Sequence, residues 1–128
     1  MSLRSPLRRV QGLGTAKEGV SHWWSQRITA VALLLLTLWF VASLVRFPAF
    51  SHAMVTAWIG KPVNAVLLCL LVGTMTWHSM LGVQVVVEDY VSGKGTKVVT
   101  LLLLNFIHIA LAVLGVFAIL RIAFGTPA

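Results

Sequence analysis

The stretch VNAVLLCLLVGTMTWHSMLGVQVVV, residues 63–87, runs for 25 residues without a charged side chain. The hydrocarbon core of a bilayer takes about 20 apolar residues as a helix, so this run can cross it. Inside lipid, backbone amides and carbonyls find no water and must pair within the segment, which makes it helical. Two shorter runs flank it, 18 residues over 28–45 and 23 residues over 98–120. The third run crosses unaided. The first crosses when Arg27 and Arg46 at its ends carry their charges to the boundary on long apolar stems.

The segments between the runs agree. Arg46-Phe47-Pro48 ends the first, because proline lacks an amide donor and disfavours helix in the residue before it. Lys61-Pro62 opens the second, where proline is tolerated in a first turn. Ser92, Gly93, Lys94 and Gly95 form a short turn before the third. No repeat, low-complexity segment or second domain is visible. The predicted fold is an all-α membrane protein with one domain over 1–128. Its transmembrane helices lie at about 26–46, 63–88 and 98–121, after a cytoplasmic segment over 1–25.

Composition points the same way. Of the 128 residues, 59% are hydrophobic and only 10% are charged, with a net charge of +7. Soluble domains carry roughly 25% charged residues. A basic chain could bind nucleic acid, but here the charges cap apolar runs instead of lining one face, which argues against that partner. The single cysteine, Cys69, can form no intrachain disulfide or iron–sulfur site and reads as a packing residue. The basic start has no apolar core of its own and does not read as a cleaved signal peptide.

Basic residues orient the chain. Arg4, Arg8, Arg9, Lys17 and Arg27 precede the first helix, and Lys94 and Lys97 lie in the turn on that same side. Only Arg46, Lys61 and Arg121 fall on the other. The N-terminus is expected in the cytoplasm and the C-terminus opposite, in a bacterial inner membrane in preference to a mitochondrial one. Trp23, Trp24 and Trp58 fall near the boundaries, where indole rings prefer to sit.

Polar residues at membrane depth need a partner or a task. His78 lies nine residues inside the second run, roughly 13 Å from its cytoplasmic end. Its imidazole can bond to a neighbouring helix, relay protons or ligate a metal, and iron would satisfy one nitrogen outright. A helix–helix hydrogen bond is the commoner outcome. Gly82, four residues on, leaves room on nearly the same face for a flat macrocycle or another helix. Asp89 follows His78 by 11 residues, within roughly 20° of the same face and about 16 Å along the axis. Asp89 and Tyr90 could deliver protons and bond a polar head group such as a quinone; an ordinary interfacial tyrosine is the plainer reading. Arg27 could pair with carboxylates through its planar fork or serve as a positive-inside anchor. His108 in the third run has a depth matching that of His78, so both could in principle bind one metal.

Two stretches carry a resemblance. HSMLGVQVVVEDYV, residues 78–91, is similar to the signature of the hydrophobic membrane anchor of succinate dehydrogenase (respiratory complex II): a histidine, a glycine four residues on, then Asp-Tyr eleven residues after the histidine. GVSHWWSQRITA, residues 19–30, resembles that family's lead into its first helix, with Arg-x-Thr-Ala. The likeness covers all three helices in order. It implies half of a heterodimeric haem-binding helical bundle, in which His78 and a histidine of a second, cytochrome b type anchor subunit are the axial ligands of a shared haem b. It places Arg27 near the haem propionates, with His22 in that vicinity. It places Tyr90 and Asp89 at the ubiquinone-reduction site. It implies tethering of a flavoprotein and an iron–sulfur subunit, which alone carry FAD and iron–sulfur clusters, and leaves trimerisation of the four-subunit complex open. The chain would then be a non-catalytic subunit with no succinate-oxidising site of its own.

Two features depart from the pattern. His22 stands where some relatives have aspartate or another residue, and His108 matches nothing in the family. Two other readings stand beside this one: the anchor of a related quinol:fumarate reductase, and a cofactor-free three-helix structural or transport protein.

Overall fold

The computed structural model describes residues 18–125, with the side chain of Glu18 left aside. The basic residues Arg4, Arg8, Arg9 and Lys17 lie outside the described residues. Those described form four helices and no strand: α1, Glu18–Val45; α2, His52–Ile59; α3, Pro62–Tyr90; and α4, Lys94–Phe124. Helices α1, α3 and α4 hold 28, 29 and 31 residues. At 1.5 Å per residue each is over 40 Å long, against a hydrocarbon core of about 30 Å. All three are long and apolar enough to cross a membrane.

The long helices extend beyond their apolar runs. α1 begins eight residues before position 26, and α4 takes in Lys94 and Gly95 of the expected turn. A helix does not stop where hydrophobicity stops; it stops where its backbone can no longer be paired. α1 ends in a turn, Phe47 N–H donating to the Leu44 carbonyl, just before Pro48. Pro62 opens α3 at its first turn.

Helix α2 is an element that periodicity did not foretell. Ser51 caps it, its hydroxyl accepting from the Met54 amide at 3.2 Å. The helix is then pinned sideways. Asn64 of α3 donates to the Trp58 carbonyl at 2.8 Å. Trp58 stacks on Trp39 of α1 at 5.6 Å and meets Phe47 edge-on at 5.7 Å. Trp58 is therefore an anchor between helices as much as a boundary residue.

α3 is the middle helix, packed on α1 and on α4, while α1 and α4 do not meet. α4 comes close at Gly115, where a Cβ would stand 2.8 Å from Cγ1 of Val72. Among the described residues few side chains are buried: Ala65, Leu68, Leu81, Val87 and Ile119, all apolar, with Cys69 and Val72 packed beside Ala65, Leu68 and Ile119. Leucines and valines along all three long helices, and phenylalanines of α4, remain exposed. So much apolar surface is compatible only with lipid or protein partners around it. The chain is a multi-pass membrane protein.

Candidate functional site

The site grows from three polar residues on one face of α1. His22, Gln26 and Thr29 stand at helical spacing of four and three and are each partly buried. Opposite them α3 presents His78. Its Nδ1 is 2.8 Å from Oγ1 of Thr29. The Thr29 hydroxyl is itself 2.7 Å from the Ser25 carbonyl. A hydroxyl has one proton, and a carbonyl can only accept. With its proton directed to the Ser25 carbonyl, the nearer of two carbonyls in reach, Thr29 accepts from the Nδ1–H tautomer of His78. This chain of bonds places the proton of His78 on Nδ1 and leaves a lone pair on Nε2.

Around Nε2 the site is less well satisfied. The amide nitrogen of Gln26 lies 3.5 Å away, at the long limit of a hydrogen bond. Gly82 opens toward the same amide: a Cβ built on it would stand 3.6 Å from Nε2 of Gln26. Two buried polar atoms, Nε2 of His22 and Oε1 of Gln26, have no hydrogen-bond partner. Buried polar atoms in native proteins are nearly always paired. The face thus offers one lone pair on His78, a glycine against the Gln26 amide, and two polar atoms on α1 without partners.

His108 takes no part in it. Its Nδ1 donates to the Leu104 carbonyl at 2.8 Å, and its Nε2 accepts from the Ser79 hydroxyl at 3.3 Å. Both nitrogens are occupied on the α4 side of α3. Successive helical residues point about 100° apart. His78 therefore meets α1 while Ser79 meets α4, and one metal shared between His78 and His108 does not fit this arrangement. Among the described residues, no three His, Cys, Asp or Glu side chains gather as a metal cage.

Nearer the shared end of α1 and α3 lie the remaining candidates. The Arg27 guanidinium sits 5.4 Å from the Trp23 ring centroid, and its side chain is exposed. Asp89 and Tyr90 are exposed at the last turn of α3, Tyr90 by 84%. Their neighbour Glu88 is tied down, by Gln84 on its carboxylate at 2.8 Å and by Lys97 on its carbonyl at 2.7 Å. His78 and Tyr90 are twelve residues apart on one helix, a rise of about 18 Å.

A family model of the succinate dehydrogenase/fumarate reductase transmembrane subunit matches residues 1–119. The chain belongs to this family. It is 32% identical over 117 residues to the succinate dehydrogenase hydrophobic membrane anchor subunit of Rickettsia bellii, covering 89% of this chain and 94% of that one. It is 30% identical over 121 residues to the subunit of the same name from Paracoccus denitrificans, covering 94% and 93%. The likeness read from residues 19–30 and 78–91 is to the same family.

Sequence reasoning singled out His78 and Gly82 but gave Gln26 and Thr29 no role. Thr29 entered only as part of Arg-x-Thr-Ala. The signal was there: three polar residues recur on one face at the entry to an apolar helix, and that stripe needs a partner on the next helix.

Proposed function

We propose that this chain is the membrane anchor subunit of a succinate dehydrogenase, holding one axial position of a haem b through Nε2 of His78. The observation that carries the proposal is the bond from His78 Nδ1–H to Thr29. Histidine ligands to metals commonly donate their second ring nitrogen to a fixed acceptor, which sets the tautomer and the ring plane. Here that acceptor is already in place, and the nitrogen that iron needs is the one left with a lone pair. The notch at Gly82 and the unpartnered atoms of His22 and Gln26 suit a group that is flat and partly polar. Haem b would supply one-electron redox chemistry. The second axial histidine would come from a second, cytochrome b type anchor subunit, since His108 is engaged elsewhere.

Arg27 and His22 lie toward the end of the bundle where propionates would reach charged and polar groups. Asp89 and Tyr90 stand free at that end, where a phenol can donate to a quinone carbonyl and a carboxylate can organise protons around it. The exposed apolar faces of α1 and α3 would pack against the partner anchor and lipid. The single domain over 1–128 would place its N-terminus on the cytoplasmic side of a bacterial inner membrane. There an iron–sulfur subunit and a flavoprotein attach and pass electrons toward ubiquinone. The chain contributes to that enzyme without oxidising succinate itself.

An absorption spectrum of the purified complex tests the reading. A low-spin bis-histidine haem is expected in the wild type and is expected to vanish in His78→Ala. An unchanged spectrum in that variant removes His78 from the ligand role.

A further inference from the structure

Thr29 decides which nitrogen of His78 carries a free lone pair, and Gln26 is what stands in front of it. The Gln26 amide nitrogen is a donor only, and it meets His78 Nε2 at 3.5 Å. The contact is weak by its length. The other end of the same side chain fares worse, because Oε1 is buried without a partner. The amide lies against the open side of Gly82, 3.6 Å from where a Cβ would be.

We propose that Gln26 is a competing occupant of the ligand position: its amide contends with iron for the lone pair of His78 Nε2 and must leave the notch at Gly82 when iron binds there. The inference rests on the reading of His78 as a haem ligand. A glutamine side chain has three rotatable torsions and few staggered wells to cross, so it can turn aside without moving α1. The weak contact makes Gln26 a modulator of occupancy and not a block. Two competitors for one lone pair lower each other's apparent affinity in proportion to the fraction of time that the site is free.

The test uses the whole four-subunit complex, purified from a haem-deficient host and titrated with haemin while Soret absorbance is followed. Gln26→Leu and Gln26→Met keep the bulk and remove the amide. Both are expected to bind haemin about two- to threefold more tightly, the worth of one weak hydrogen bond, with the bis-histidine spectrum unchanged. Equal or weaker binding in both overturns the proposal. So does failure of both to assemble, because the amide would then be holding the fold and not contending for a ligand. His78→Ala is titrated alongside. If it binds haemin as the wild type does, the ligand reading itself fails. If it loses haemin while the Gln26 variants match the wild type, only the role of Gln26 fails.

Discussion

Replacing Thr29 with valine keeps the shape of the side chain and removes one oxygen. That oxygen is 2.8 Å from His78 Nδ1 and 2.7 Å from the Ser25 carbonyl. The Ser25 carbonyl loses little, because within a helix the backbone amide four residues on still donates to it. The imidazole loses its acceptor. An unsatisfied buried polar group costs about 1–3 kcal/mol, and this one is partly buried between α1 and α3. The ring is then also free to rotate or to shift its proton to Nε2, which would occupy the lone pair that iron requires. If that cost falls on the haem-bound state, affinity drops by about 5- to 150-fold. Loss of an outer-shell partner typically weakens metal binding about 10- to 100-fold, which lies in the same range. The assay is haemin titration of the purified complex, with Thr29→Ser as control. Serine restores the hydroxyl on a smaller side chain and is expected to retain most of the affinity. Affinity within twofold of the wild type in Thr29→Val would refute the chain of bonds from Ser25 through Thr29 to His78.

Two further outcomes are expected. Tyr90→Phe leaves folding and assembly unchanged, because the ring is 84% exposed within this chain, and lowers quinone-linked kcat/KM by about two- to tenfold; succinate oxidation with an artificial acceptor serves as the control, and normal quinone turnover would remove Tyr90 from the quinone site. Gly115→Val forces apart a contact in which even a Cβ would lie 2.8 Å from Val72 Cγ1. Valine at position 72 is stiff about its first torsion and cannot turn away freely, so the variant is expected to lose about 1–3 kcal/mol, read as a lower thermal midpoint of the complex in detergent; an unchanged or higher midpoint would mean that α3 and α4 are not held so closely.

The membrane helices were legible because their signal is long and redundant. Twenty-five uncharged residues cannot be a loop in lipid, and proline at positions 48 and 62 marks where two of the helices end and begin. Helix α2 was not legible for the converse reason. Eight residues carry too little periodicity to register. What holds α2 is a hydroxyl cap at Ser51 and an indole stacked on Trp39, a partner distant in sequence. Gly82 and Gly115 make the same point. Gly82 stands out by its spacing from His78 but nothing local says what it faces, and Gly115 sits in an apolar helix with no cue at all. Only the packing shows that Gly115 admits Val72 while Gly82 faces a glutamine amide.

His78 and His108 show most clearly where sequence reasoning stops. Depth along the membrane can be counted from a helix end, and by that count the two imidazoles are level. Direction around the helix is different, because it has meaning only relative to a neighbour. With α3 in the middle, residues 78 and 79 face different partners: the first meets Thr29 on α1, and the second meets His108 on α4. A difference of one position on α3 therefore separates the two histidines. His108 has both nitrogens committed to Leu104 and Ser79 at 2.8 and 3.3 Å. His78 has one nitrogen committed at 2.8 Å and the other barely touched. A ligand needs a lone pair that is oriented but not spent. Of the two imidazoles level in the membrane, only His78 meets that condition.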